Sequence, residues 1–553
     1  MSALGKIQNS EFNVIGRNME KYISFSIIST YKKCKIHLQF IDSFQFLPSS
    51  LEKLVANLDK EEFKILNENI SHHVDLMLRK GIYPYEYMSS FQKFEETQLP
   101  PKESFYSSLT EQHITDDDYI HAQNVWNMFN IKNLGEYHDL YVMTDVLQLA
   151  DVFENFRSFS QKSYDLDCTH LFTSAGLAWQ ACLKMCEQPL ELFTDPNMHL
   201  MIENGIRGGI SMITHRFAQS NNKYLPNYDS NKPSTYILYL DANNLYGWAM
   251  SQPLPYGNFE WISSDGIDSD WILSIVDDGE VGFVFEVDLS YPRHLHDDHN
   301  EYPLAPEKLE ICKEMLSPYS REHAGNTTSS KIAKLTPNLN DKKNYVTLIQ
   351  NLKFYLKLEF NTNKRINATS LFEKILFKLM NNAVYGKTME NVRKHKDISL
   401  INNNPKAEKL VASPTSIFND NLVGVERLKK TVWLNKPLYV GFAILELSKL
   451  HMYKFHYEYI KQRYGNKSKL LFTDTDSLTY HIETEDIYKD MMENAEIFDT
   501  FDYPVDHPLY SIKNKKKIGC FKDETISECI VEFIGLRSKM YSILTKDYEK
   551  KNS

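Results

Sequence analysis

The stretch LLFTDTDSLTYHI, residues 470–482, sets two aspartates one residue apart between two apolar segments. Aspartate is depleted in strand interiors, and an unpaired buried carboxylate is costly. The flanks LLF and LTY read as two strands joined by a tight turn, so Asp474 and Asp476 emerge from a packed sheet. Asp is also a plain turn former, and that reading stands beside the first. Carboxylates emerging from a packed sheet call for a cation. Hard oxygen ligands suit Mg²⁺, which takes one or two carboxylates plus substrate phosphates.

A second aspartate ends another apolar run. TYILYLD, 235–241, is nearly unbroken in hydrophobicity, the pattern of a buried central strand. Asn244, Leu245 and Tyr246 follow Asp241. Taken alone, Asp241 reads most simply as the cap of the next helix.

The third station is SLFEKILFKLMNNAVYGKTMENVRKHK, 370–396. On a helix, Lys374, Lys378, Asn382 and Tyr385 fall within about 80° of one another. Phe372, Ile375, Leu376, Leu379 and Ala383 take the other side. Between Lys353 and Lys396 there are ten Lys or Arg against three Glu, in a chain whose net charge is −11. A basic segment in an acidic protein fits a polyanion better than a merely solvated face. One scheme joins the three stations. Two carboxylates on adjacent strands hold two divalent ions about 3.5–4 Å apart, and the two lysines neutralise a triphosphate.

In this order the motifs resemble those of family B DNA polymerases, specifically the protein-primed branch of bacteriophages, linear plasmids and Polinton-type (Maverick) transposons. DxxSLYP resembles Asp241-Ala-Asn-Asn244-Leu245-Tyr246-Gly247. KxxxNSxYG resembles Lys378-Leu-Met-Asn-Asn382-Ala383-Val-Tyr385-Gly386. YxDTDS resembles Phe472-Thr473-Asp474-Thr475-Asp476-Ser477, and KxY resembles Lys539-Met540-Tyr541. The linker YxGG resembles Ile206-Arg207-Gly208-Gly209. Asn244, Gly247, Ala383 and Ile206 depart from the family spelling.

The resemblance implies a DNA-directed DNA polymerase acting on primer-template DNA, dNTPs and a terminal (priming) protein, in replication of a mobile or viral element. It implies that Asp241 and Asp476 bind two Mg²⁺ ions (or Mn²⁺), with Asp474 assisting. Asn244, Leu245, Lys374, Lys378 and Asn382 would bind the nucleotide, and Tyr246, packed on Tyr385, would exclude a 2′-hydroxyl. Gly208, Gly209, Gly386, Thr475, Lys539 and Tyr541 would contact DNA.

The implied fold is α+β and multidomain: a right-hand polymerase with an antiparallel palm sheet and helical fingers. An incomplete ribonuclease-H-like α/β exonuclease domain precedes it. The expected divisions are 1–200 for the partial exonuclease domain and 201–234 for the linker. The palm takes 235–350, with an insertion at about 258–350. The fingers follow at 351–396, a second insertion at 397–430, and the rest of the palm at 431–553.

DSFQFLP, 42–48, resembles an exonuclease DNA-contact segment with Phe44 in place of Leu. Tyr141 and Asp145 resemble the third exonuclease motif, YxxxD. Its DxE and YD partners have no counterpart upstream, where Glu11 and Glu20 are the only acids before Asp42. Proofreading is therefore expected to be absent from this chain. With twelve residues after Tyr541, the thumb is expected to be largely missing and the chain to be a fragment, a split product or a decayed mobile-element copy. The rival expectations are a DNA-binding remnant without catalysis and a two-metal nuclease.

Seven cysteines without a CxxC spacing read as reduced thiols of an intracellular protein. No apolar run reaches membrane-spanning length, and MSALGKIQNSEF carries no signal core. Periodicity predicts helices over 119–156 and 438–463, and the Asn-, Ser- and Pro-rich 220–234 reads as a linker. The run Lys513, Lys515, Lys516, Lys517 reads as a solvated loop, a DNA contact or a localisation signal.

Overall fold

The computed structural model describes residues 10–16, 22–31, 34–277, 279–323, 333–357, 383–391, 396–401, 415–419, 422–427, 432–546 and 550–552. The chain forms two compact units, Met1–Glu187 with Asn391–Trp433, and Gln188–Glu390 with Leu434–Ser553.

In the first unit, β1 (Ser10–Gly16), β2 (Tyr22–Tyr31) and β3 (Cys34–Ile41) form an antiparallel sheet with β2 central. Phe12 and Ile27 bury against Leu400, which lies on a second three-stranded sheet built from Asp397–Ile401, Thr415–Asn419 and Leu422–Arg427. The helix expected over 119–156 is two helices. A Thr115/Asp118 capping box starts α1 (Asp116–Met128). Asn130 then turns left-handed at φ 52°, and Asn133 caps the new helix α2 (Leu134–Tyr164) by accepting the Glu136 N–H. Buried Asp151 on α2 accepts the N–H groups of Ile65 and Leu66 at 2.7 and 2.9 Å, which satisfies its charge.

The second unit is built on a ten-stranded sheet. Its main path runs β15 (Lys550–Asn552), β14 (Met540–Thr545), β13 (Ile530–Arg537), β6 (Thr235–Ala242), β10 (Ser477–Glu483), β9 (Ser468–Asp474) and β4 (Ser211–Ile213). β5 (Phe217–Gln219) pairs with β13, and β12 (Phe521–Asp523) pairs with β6 and, in parallel, with β11 (Phe498–Asp499).

Alternation along β6 divides its side chains. Tyr236, Leu238, Leu240 and Ala242 join the main core around α7 (Leu438–Lys454), while Ile237 and Tyr239 join a second cluster with Phe472, Phe533 and Tyr541. Asp241 continues the Ile237–Tyr239 row. Helix α7 is almost wholly buried and mostly apolar, and its buried charges Glu446 and Lys449 pair with each other at 3.1 Å. A π turn, Phe455–Lys461, prolongs it to the end of the expected 438–463 segment.

The 220–234 stretch is tied down. Asn222, 1% exposed, donates from Nδ2 to the Thr235 carbonyl, and Asn221 bonds the backbone of Asp229 and Pro233. Of the expected fingers, Ile349–Lys357 (α6) and residues 383–388 are helical. Lys374, Lys378 and Asn382 lie outside the described residues. Among the described residues no helix is long and apolar enough to cross a membrane.

Candidate active site

The site grows from the β9–β10 hairpin. Asp474 pairs with Ser477 across a two-residue turn, Thr475-Asp476. Ser477 in turn pairs with Asp241 on β6. The Ala242 N–H donates to the Asp476 carbonyl at 2.7 Å, so the backbones carrying Asp241 and Asp476 lie against each other. All three aspartates are half-buried.

Thr475 holds φ +61°, a costly conformation for a β-branched residue, worth roughly 1–3 kcal/mol. Its surroundings fix it there. The Thr475 N–H donates to the Ile210 carbonyl at 2.8 Å. Gly209 lies so close that an added Cβ would meet Thr475 Cγ2 and Oγ1 at 2.5 Å, whereas a Cβ on Gly208 would meet nothing within 4 Å. The 206–209 segment thus serves as a seat for the acidic turn. A Cβ on Gly386 would also meet open space.

Past Asp241 the chain turns sharply. Asn244 sits at φ 47° and caps α5 (Leu245–Met250) by accepting the Gly247 N–H at 3.3 Å. Leu245 is buried in the main core. Tyr246 stacks on Tyr385, ring centroids 4.5 Å apart and planes 22° apart. Burial first, and then the Asp476 charge, hold the Tyr246 phenol above its usual range. The structure thus brings Asp241, Asp476, Tyr246 and Tyr385 together.

The β13–β14 hairpin closes another side. Lys539 Nζ reaches Asp474 Oδ2 at 3.1 Å. Tyr541 stacks on Phe472 at 4.2 Å, and its hydroxyl meets that of Tyr239 at 3.0 Å. Sequence reasoning missed the Lys539–Asp474 pair and the role of Asp499. Asp499 is 4% exposed and accepts both the Asn243 Nδ2–H and the Lys516 N–H at 2.7 Å. No sequence signal marked Asp499, because its partners are distant in the chain.

A divalent ion suits these residues. Asp474 Oδ1 is buried and has no hydrogen-bond partner. Among the described residues no three His, Cys, Asp or Glu side chains gather into a self-sufficient metal cage. An unpartnered carboxylate oxygen on a turn whose backbone lies against the strand of Asp241 suits Mg²⁺, which takes one or two carboxylates and completes its shell from substrate phosphates and water.

In the first unit, Tyr141 and Asp145 stand one turn apart on α2. Lys80 Nζ pairs with Asp145 Oδ2 at 2.6 Å and contacts the Tyr141 hydroxyl. Tyr83 stacks on Tyr141 at 4.7 Å. Burial, hydrogen bonding to Tyr85 and the Asp145 charge push the Tyr141 phenol far up.

Residues 6–329 match the family described as DNA polymerase type B, organellar and viral. The chain belongs to that family. The match takes in the 206–209 seat and Asp241 and ends before the acidic hairpin. A protein of Podospora anserina called "Probable DNA polymerase" is 21% identical over 270 residues, 46% of this chain and 19% of that protein. The chain thus spans about a fifth of the length of that curated relative. Two solved structures of Phi29 DNA polymerase are also similar. The complex with primer-template DNA and incoming nucleotide has 15% identity and a TM-score of 0.42, covering 97% of this chain and 73% of that one. The complex with primer-template DNA alone has 16% identity and a TM-score of 0.43, covering 98% and 75%.

Proposed function

We propose that this chain is the catalytic part of a protein-primed, DNA-directed DNA polymerase that replicates a mobile or viral element. The observation that carries this reading is the sheet register that sets Asp241 opposite Ser477 and bonds Ala242 to Asp476 at 2.7 Å. In this reading Asp241 and Asp476 hold two Mg²⁺ ions (Mn²⁺ can substitute), and Asp474 assists through its unpartnered Oδ1. When bound, these ions activate the attacking hydroxyl and stabilise the departing pyrophosphate.

The chain's own residues do the rest. Tyr246, braced by Tyr385, fills the space a ribose 2′-hydroxyl would need. Asn244 shapes the turn beneath the nucleotide, and Leu245 anchors it in the core. Lys374, Lys378 and Asn382, which lie outside the described residues, are assigned to the triphosphate by the motif resemblance alone. Lys539 and Tyr541 hold the primer end, and Gly208, Gly209, Thr475 and Gly386 line the DNA path. Residues 258–350 and 397–430 are the segments offered to the priming protein and DNA.

Primer extension with dNTPs and Mg²⁺ tests this. The chain should extend a primed template, and Asp476→Asn should bind DNA equally and extend none. Equal binding with no extension by either would favour a catalytically silent DNA-binding remnant. Asp476-dependent shortening of the product would favour a nuclease.

A further inference from the structure

The polymerase reading leaves one motif unused, the lysine run at 513–517. It is a built turn rather than a loose loop. Three i→i+3 backbone bonds follow in succession: Lys515 to Ile512, Lys517 to Asn514 and Cys520 to Lys517. Asn514 is 2% exposed and donates to the carbonyls of Ala495, Glu496 and Phe498. Lys516 sits at φ +50°, a conformation an ordinary side chain avoids, and buried Asp499 holds its N–H at 2.7 Å. The same Asp499 oxygen takes the Asn243 side chain. Asn243 also exchanges backbone bonds of 2.8 Å with Gly519 and Cys520. The turn then runs into β12, where Lys522 pairs with Asp241. Lysines 513–517 are therefore fastened to the residues just after the candidate metal ligand.

The Lys513 and Lys516 side chains are spare. Among the described residues, Lys513, Lys515 and Lys516 form no ion pair with an acid, and Lys513 and Lys516 are exposed. Lys515 Nζ lies 3.5 Å from the centre of the Phe501 ring. By contrast, Lys522 close by is paired with Asp502 at 2.9 Å. An acidic chain that rigidly concentrates uncompensated ammonium groups beside a catalytic strand presents an anion site. Holding that turn costs backbone strain at Lys516, and a solvated loop would have no need of it.

We infer that the 513–517 turn is a phosphate-binding site of the palm, in which Lys513 and Lys516 contact phosphate oxygens of DNA or of the nucleotide's triphosphate. The inference rests on the polymerase reading for its ligand and on the turn's geometry for its place.

The test uses the full chain and the double variant Lys513→Gln/Lys516→Gln. Neither side chain has a packing role, so folding is preserved. Primer-template affinity is measured by fluorescence anisotropy across a salt series, and KM for one dNTP by single-nucleotide extension. If the ligand is the DNA backbone, the slope of log affinity against log salt becomes shallower by about 1.4–1.8 for two lost contacts, alike for all sequences. If it is the triphosphate, KM rises several-fold and the salt slope holds. Lys467→Gln, which removes an exposed lysine paired with Glu483, is the control and should change neither. An unchanged slope with an unchanged KM overturns the inference, as does an equal effect from Lys467→Gln. If the unsubstituted chain binds DNA but extends nothing, the polymerase reading fails. The salt slope still decides the turn's role.

Discussion

Replacing Gly209 with alanine places a methyl group 2.5 Å from Thr475 Cγ2 and Oγ1 and 2.8 Å from its Cβ. Ordinary contact begins near 3.4 Å, so the two segments must part by about 1 Å. Thr475 cannot rotate clear, because both branches of its Cβ make the contact. Its N–H is also fixed on Ile210. The shift therefore passes into the turn that carries Asp474 and Asp476. Overpacking costs about 1–3 kcal/mol of stability, and a 1 Å misplacement of reacting groups costs on the order of 10²-fold in rate. Gly209→Ala should thus lose about 100-fold in single-nucleotide extension while remaining folded. Gly208→Ala, with nothing within 4 Å, leaves the acidic turn in place and should melt like the parent. Adding Thr475→Ala removes Cγ2 and Oγ1 and should restore part of the loss. Stopped-flow extension and thermal melts measure both effects. A parental rate for Gly209→Ala, or an equal loss of stability in Gly208→Ala, would refute the argument.

Three further outcomes follow from the same geometry. Tyr246→Val opens the space above Tyr385 and should raise ribonucleotide incorporation relative to deoxynucleotide by about 5- to 100-fold, the equivalent of roughly 1–3 kcal/mol of relieved overpacking, read from paired rNTP and dNTP extensions. Lys539→Ala removes an ion pair whose lysine is 68% exposed; stability should change by less than ~1 kcal/mol, while the salt slope of DNA binding falls by about 0.9. His451 is half-buried, stacked between Trp248 and Phe521, and desolvation pushes its pKa down to about 4 against the pull of the Gly519 carbonyl. The unfolded chain therefore takes up this proton first. The contribution is complete above about pH 6.5 and is lost as pH falls towards 4, by about 3 kcal/mol. Urea melts at pH 7 and pH 5 should show the decline, and His451→Phe should flatten it in part, since His456 shifts in the same direction.

The residues legible in the sequence were those whose neighbours along the chain carry the signal. TYILYLD reads as a central strand because both of its faces are buried. The 470–482 hairpin and α7 announced themselves by apolar runs of the right length. Tertiary partners left no such trace. Ser211–Ile213 and Phe217–Gln219 are three residues each, too short for any periodicity, yet both pair into the main sheet. Asn222 looks like linker composition but is buried, because its amide satisfies the strand end at Thr235. The break at 129–133 hangs on Asn130 adopting a left-handed conformation and Asn133 capping. Asn does either job freely, so a stripe of apolar residues running past it concealed the stop.

Counting bound divalent ions tests the central claim most directly. With primer-template DNA and a non-hydrolysable dNTP analogue present, Mn²⁺ titration followed by electron paramagnetic resonance should find two ions per chain. Asp241→Asn and Asp476→Asn should each lower that to one or none while DNA stays bound. Two ions retained by both variants would contradict the account.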